Sequence, residues 1–285
     1  MKKIETLVED INKLFTSEDP PLPKKEVDNL IDTFAVSIKE HLKTFLYEQP
    51  RRKSNLRLSI IGRPDRQLWY DINQPSEKPL SSSLRIKFLY GYLLEELLIL
   101  LSSASGHKVT HQQKEVTVAG IKGHQDCMID DVLVDCKSAS WRAFQKFKNN
   151  TLSEDDPFGY IAQISAYAEG NNVDEAAFLV IDKQSGEICL SPVNELEMIN
   201  AKKRIIHLKK IVKNKTVPSK CYDDLPEGKS GNRKLDMRCI FCSHKSKCWS
   251  DANDGKGLRI FQYERGKKYL TQVEREPNVE EVTTW

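Results

Sequence analysis

Three side chains set the chemistry open to this sequence. In the stretch Gly123-His124-Gln125-Asp126-Cys127-Met128-Ile129-Asp130-Asp131-Val132-Leu133-Val134-Asp135-Cys136-Lys137-Ser138, two short apolar runs flank Asp130-Asp131. Residues i and i+2 of a strand share a face, so Asp135 and Lys137 point together while Cys136 points away. If the runs pair antiparallel through a turn near Asp130-Asp131, Asp126 comes beside Asp135. Two carboxylates then converge as hard oxygen donors for Mg²⁺. A magnesium ion there would polarise a phosphate and lower the pKa of a bound water, which Lys137 would orient or deprotonate. The same spacing also suits an exposed hairpin with an ordinary ion pair between Asp135 and Lys137.

Neighbouring segments favour the chemical reading. Gln163 and Tyr167 stand four apart in Gly159-Tyr160-Ile161-Ala162-Gln163-Ile164-Ser165-Ala166-Tyr167, which puts them on one helical face. Upstream, Gly91-Tyr92-Leu93-Leu94-Glu95-Glu96 sets carboxylates among leucines, where an acidic group needs a reason to be buried.

With these segments in this order, the chain resembles the PD-(D/E)XK nuclease superfamily. The likeness is to its RecB-type exonuclease branch, which includes the CRISPR adaptation nucleases and many phage recombination exonucleases, and it spans roughly residues 56–249. It implies a restriction-endonuclease-like α/β fold, with a central mixed sheet flanked by helices. It also implies that Glu95, Asp126 and Asp135 hold Mg²⁺ or Mn²⁺ and that Lys137 acts on the water. Glu96 is an adjacent alternative to Glu95. The family's Gln-x-x-x-Tyr motif falls on Gln163 and Tyr167, and its glycine-to-aspartate spacing on Gly123-x-x-Asp126. His124 is either a further ligand or a structural histidine. The activity implied is a metal-dependent DNA exonuclease of the kind phages use in recombination or DNA processing. Its substrate would be DNA, with a recombination or single-strand-binding protein as a possible partner. An endonuclease of the same fold and an inactive DNA-end-binding or assembly factor are the alternatives.

A second cluster lies downstream. Cys239-Ile240-Phe241-Cys242-Ser243-His244-Lys245-Ser246-Lys247-Cys248 gives C-x2-C-x5-C, with Cys221 before it. Four thiolates close a tetrahedral zinc site or hold an iron–sulfur cluster, and the spacing does not select between them. The resemblance favours [4Fe-4S], with a fourth cysteine expected near Pro64. None is there, so Cys221 is assigned in its place and the site becomes local to the C-terminal segment, which raises the standing of Zn²⁺. Cys127, Cys136 and Cys189 sit in strand-like runs and read as packing residues.

The elements that must position these residues follow from periodicity. Residues 1–16 and 24–47 read as helices separated by Pro20-Pro21-Leu22-Pro23, and Pro79 with Ser81 to Ser83 opens a long helix to about Ser103. The basic run Arg51-Arg52-Lys53 lies between. Strands are expected within 107–118, 122–129 and 131–137, then helices over 139–149 and 157–170. Strands over 176–181 and 187–190 follow, with a helix over 193–213 opened by Ser191-Pro192. Residues 258–263 and 268–273 flank Arg265-Gly266 as a terminal hairpin. This order fits an α/β core with a mixed sheet. The organisation expected is a helical region 1–55, a nuclease core 56–217, a cysteine metal-binding segment 218–250, and a hairpin and tail 251–285.

Composition narrows the setting. At 39% hydrophobic and 30% charged, the chain is of the soluble globular kind, and no run approaches a membrane span. A net charge of +3 does not announce nucleic-acid binding, so any basic surface must be local. The start Met1-Lys2-Lys3-Ile4-Glu5 is unlike a secretory signal. A cytoplasmic protein is therefore expected (host cytoplasm if phage-encoded), where seven cysteines suggest metal ligation before disulfides.

Overall fold

The computed structural model describes residues 2–47, 55–75 and 81–282, so Arg51-Arg52-Lys53 and Pro79 lie outside the described residues. The chain divides into two compact units, one of Met1–Gly62 with Pro79–Leu208 and one of Arg63–Lys78 with Lys209–Trp285. In chain order the helices are α1 (Leu7–Thr16), α2 (Lys24–Tyr47), α3 (Asp65–Asn73), α4 (Ser82–Ala104), α5 (Trp141–Lys148), α6 (Tyr160–Asn171) and α7 (Ala201–Lys213). The first seven strands are β1 (Val109–Thr110), β2 (Glu115–Val118), β3 (Ile121–His124), β4 (Cys127–Ile129), β5 (Val132–Ala139), β6 (Ala176–Asp182) and β7 (Ile188–Val193).

The first unit is built on a five-stranded mixed sheet in the order β1-β4-β5-β6-β7. β4 and β5 are antiparallel, β5 and β6 parallel, and β6 and β7 antiparallel. Parallel pairing demands a long crossover, which α5 and α6 supply. Every residue of β6 is buried, as a continuous apolar run in a central strand requires. The turn between β4 and β5 is Asp130-Asp131, both at positive φ (49° and 68°). Two successive left-handed residues make the turn whose twist suits a hairpin, and aspartate tolerates that conformation. Leu7 and Ile11 of α1 and Leu98 and Ile99 of α4 pack with Cys127, Ile129, Val134, Cys136, Leu179 and Ile181 of the sheet. Cys127, Cys136 and Cys189 are buried.

The α4 helix starts where the serines suggested, with Ser81 Oγ accepting from Leu84 N at 3.3 Å. Helix α2 buries none of its residues and rests on α4. The His41 and Tyr92 rings lie 4.7 Å apart, and Arg85 donates to the Phe45 carbonyl at 2.6 Å.

Some expectations fail: the strands expected within 107–118 and 122–129 are each two, with β2 and β3 paired in a separate sheet. The helix foreseen from residue 193 begins at Ala201, and Ser191-Pro192 lie inside β7. Pro192 pairs with Ala177. β7 is an edge strand, and an edge tolerates a residue without an N–H.

In the second unit β8 (Leu225–Pro226), β9 (Arg233–Lys234), β10 (Arg259–Tyr263) and β11 (Gly266–Gln272) form a sheet in the order β10-β11-β9-β8. The β10–β11 ladder closes on Tyr263 and Gly266, which is the terminal hairpin expected. Helices α8 (Met237–Ile240), α9 (Lys245–Cys248) and α10 (Ala252–Gly255) are single turns. Leu235, Trp249 and Ala252 pack together here, and Leu68, Trp69, Ile260, Phe261 and Leu270 are buried too.

Candidate active site and cysteine cavity

The hairpin register brings the acidic residues together. Cys127 pairs with Val134, so Asp126 stands one step further on, facing Asp135, and accepts a 2.7 Å hydrogen bond from Cys136 N. Asp135, 2% exposed, shares the β5 face with Lys137, and the ammonium pairs with its Oδ2. Gln163, from the first turn of α6, donates to Asp135 Oδ1 at 2.8 Å. Beyond the ion pair, no hydrogen bond reaches Asp135 Oδ2 from the described residues.

Helix α4 settles the geometry of the adjacent glutamates. Glu95 turns to the aspartates and accepts from Gln113 Nε2 at 2.7 Å. Glu96 turns to α2, 3.6 Å from His41 Nε2. His124 is exposed on β3 opposite Glu115.

Burial and mutual repulsion raise the carboxyl pKa values. Burial, then Asp126 and Asp135, push Glu95 up to about 9. Burial and Asp135 push Asp126 up to about 7. Burial also raises Asp135, against the pull of Lys137. Burial works to lower Lys137, but Asp135 and Asp126 outweigh it and the net direction is upward. Fully ionised, the three carboxylates would carry more negative charge than one ammonium neutralises, and protons are held in its place.

Glycines make the close approaches possible. A Cβ at Gly123 would stand 2.7 Å from Leu58 Cβ and 2.9 Å from the Tyr167 hydroxyl, so the glycine makes room for Tyr167. That tyrosine is 2% exposed, and burial with Asp135 and Asp126 nearby raises its pKa. At the start of α6, Gly159 (φ +74°) lies backbone to backbone with Gly62. Asp156 caps the helix, accepting from Gly159 N at 2.9 Å and Ile161 N at 2.8 Å. Two contributors were missed in the sequence, Gln113 on Glu95 and Tyr160, whose ring lies 5.1 Å from Lys137 Nζ. Tyr160 sits one turn before Gln163 on the same helix face, a signal that was legible.

The four cysteines line one cavity of the second unit, along with Arg66, Tyr70 and His244. Its polar framing is specific. Arg66 Nε donates to Cys248 Sγ at 3.0 Å, and the backbone N–H groups of Arg66 and Gln67 at the start of α3 reach Cys221. Cys221 thus lies at the start of α3 and lines the cavity together with Pro64. Burial, then the neighbouring cysteines, push Cys239 up to about 12. His244, stacked on Tyr70 at 5.3 Å, meets Asp71 Oδ1 at 2.7 Å.

Neither cluster is assembled as a closed metal centre. Among the described residues, no three His, Cys, Asp or Glu side chains stand close enough to hold a metal ion. In the carboxylate cluster Lys137 and Gln163 meet Asp135, Cys136 N meets Asp126 and Gln113 meets Glu95. The four cysteines expected as ligands share the cavity of the second unit, and none of them is in a disulfide. Among the described residues, no helix is long and apolar enough to cross a membrane.

No family model matches the chain, and no curated protein does. Solved structures are similar at modest TM-scores. The phage-related exonuclease from Haemophilus somnus 129PT is 16% identical over 56% of this chain and 90% of its own, with a TM-score of 0.39. The alkaline exonuclease LHK-Exo of Laribacter hongkongensis is 16% identical over 57% and 86%, with a TM-score of 0.38. The protein SSO0001 is 14% identical over 74% and 91%, with a TM-score of 0.42.

Proposed function

We propose that this chain is a divalent-cation-dependent deoxyribonuclease of the PD-(D/E)XK type, hydrolysing phosphodiester bonds at DNA ends. The observation that carries the reading is the convergence of Glu95, Asp126 and Asp135 beside Lys137, with all three carboxyl pKa values raised. Such a cluster is poorly neutralised alone and well suited to Mg²⁺ or Mn²⁺, which favour carboxylate oxygens. When bound, the cation would supply Lewis acidity and an acidified water. Glu95, Asp126 and Asp135 would hold it. Lys137, with its raised pKa, stays an ammonium and acts by charge on the phosphate, and does not take a proton from water. Gln163 fixes the Asp135 carboxylate, and Tyr167 walls the site against Gly123.

The thiols of Cys221, Cys239, Cys242 and Cys248 suit a soft structural metal, an iron–sulfur cluster or zinc. The pathway proposed is DNA-end processing in phage-type recombination, with a single-strand-binding protein as partner. The test is incubation with linear and closed circular DNA, with Mg²⁺ and with chelator. Loss of linear DNA alone, only with Mg²⁺, supports the reading. Loss of both forms makes the enzyme an endonuclease, and loss of neither overturns the catalytic reading in favour of a DNA-end-binding factor.

A further inference from the structure

Phe158 is exposed beside the catalytic cluster in a way the cluster does not need. It is 62% exposed, yet it is not a loose side chain. Its ring stacks on Tyr160 at 5.4 Å and 29°. Tyr160 in turn rests against the buried rings of Phe147 and Phe178, at 6.0 and 6.4 Å, and its ring lies 5.1 Å from Lys137 Nζ. A ladder of rings thus runs from the core to solvent, past the ammonium assigned to the phosphate. The backbone beneath Phe158 is fixed as well, by the Gly62–Gly159 contact and the two hydrogen bonds to Asp156. A pre-positioned aromatic ring loses little freedom on binding a flat ligand.

We propose that Phe158 is the stacking platform for an unpaired nucleobase next to the scissile phosphate, which makes single-stranded or frayed DNA ends the preferred substrate. The inference rests on the nuclease reading for where the phosphate sits. From Lys137 the ring is one aromatic step beyond Tyr160, within the reach of a base attached to that phosphate or its neighbour. Bases inside a duplex have both faces covered by adjacent pairs and a terminal pair turns out only one, held rigid by pairing, so an unpaired base, free to rotate, is the one that meets Phe158 face to face. Stacking of this kind tolerates any base.

The test uses the full chain and fluorescent oligonucleotides, single-stranded and blunt duplex, some with abasic residues at the terminus. Binding is read by anisotropy in chelator and cleavage by KM and kcat with Mg²⁺. Phe158→Ala should weaken single-strand binding and raise its KM on the order of tenfold, with kcat nearly unchanged. Phe158→Trp should restore both, and Phe15→Ala, which removes an exposed ring from α1, should change neither. On abasic ends the wild type should bind as weakly as Phe158→Ala. Equal single-strand binding by wild type and Phe158→Ala, or a loss that persists on abasic ends, overturns the stacking role. If the wild type cleaves nothing yet shows the base-dependent binding difference, the nuclease reading fails and the stacking site stands. If it shows neither, both fail.

Discussion

At the scale of single residues, the carboxylates tie stability to pH. Glu95 is raised from 4.5 to about 9, so between those values the folded chain holds a proton that the unfolded chain releases. Its contribution to stability is complete below about pH 4.5 and is lost as pH rises through about 9. Without metal, the melting temperature should therefore fall from pH 5 to 9, and Glu95→Gln should flatten that fall while keeping the Gln113 hydrogen bond. Parallel pH–melting curves for the two proteins would sink the assignment. Mg²⁺ affinity, read by calorimetry, should rise over the same interval, because the proton must leave before the cation binds. Asp135→Ala should remove cleavage by at least on the order of a hundredfold with the circular dichroism spectrum unchanged. Wild-type cleavage by that variant would place the chemistry elsewhere.

At the scale of elements, Gly123 shows how a strand and a helix share space. Gly123→Ala puts a methyl group against Leu58 and the Tyr167 hydroxyl, an overpacking that costs about 1–3 kcal/mol. Urea unfolding measures it, and a midpoint equal to wild type would mean that Tyr167 does not need the gap. The same element pair shows what the sequence made legible. The period of a strand placed Asp135 and Lys137 together, and the aspartate turn brought Asp126 opposite, because both rules are local. Glu95 and Glu96 could not be told apart, since leucines surround them on α4. It is α2, packed far from its sequence neighbours, that draws Glu96 to His41. The late start of α7 had the same origin: Pro192 is tolerated in β7 only because that strand lies at the sheet edge, which is a tertiary fact. Helix α3, which carries Arg66 to Cys248, went unassigned for want of a clear periodic signal.

At the scale of the whole molecule, three of the four cysteines of the second unit sit on or beside one-turn helices, which cannot stand alone. Folds of this kind rely on staples such as a structural metal. Protein purified without oxygen should carry iron, with broad visible absorbance, or about one zinc per chain. Cys248→Ser should lower both metal content and melting temperature, and leave residues 209–285 open to limited proteolysis. A variant with unchanged metal content and melting temperature would show that the thiols are not ligands.

The backbone contact between Gly62 and Gly159 has a consequence for how this protein can vary. Most tight contacts can be rescued genetically, because a large residue on one side is accommodated by a smaller one on the other. Here the obstacle to a methyl group on either residue is main chain, which no substitution can shrink. A saturation library selected for DNA cleavage should hold both positions at glycine, and a search for suppressors of Gly159→Ala should return only reversion.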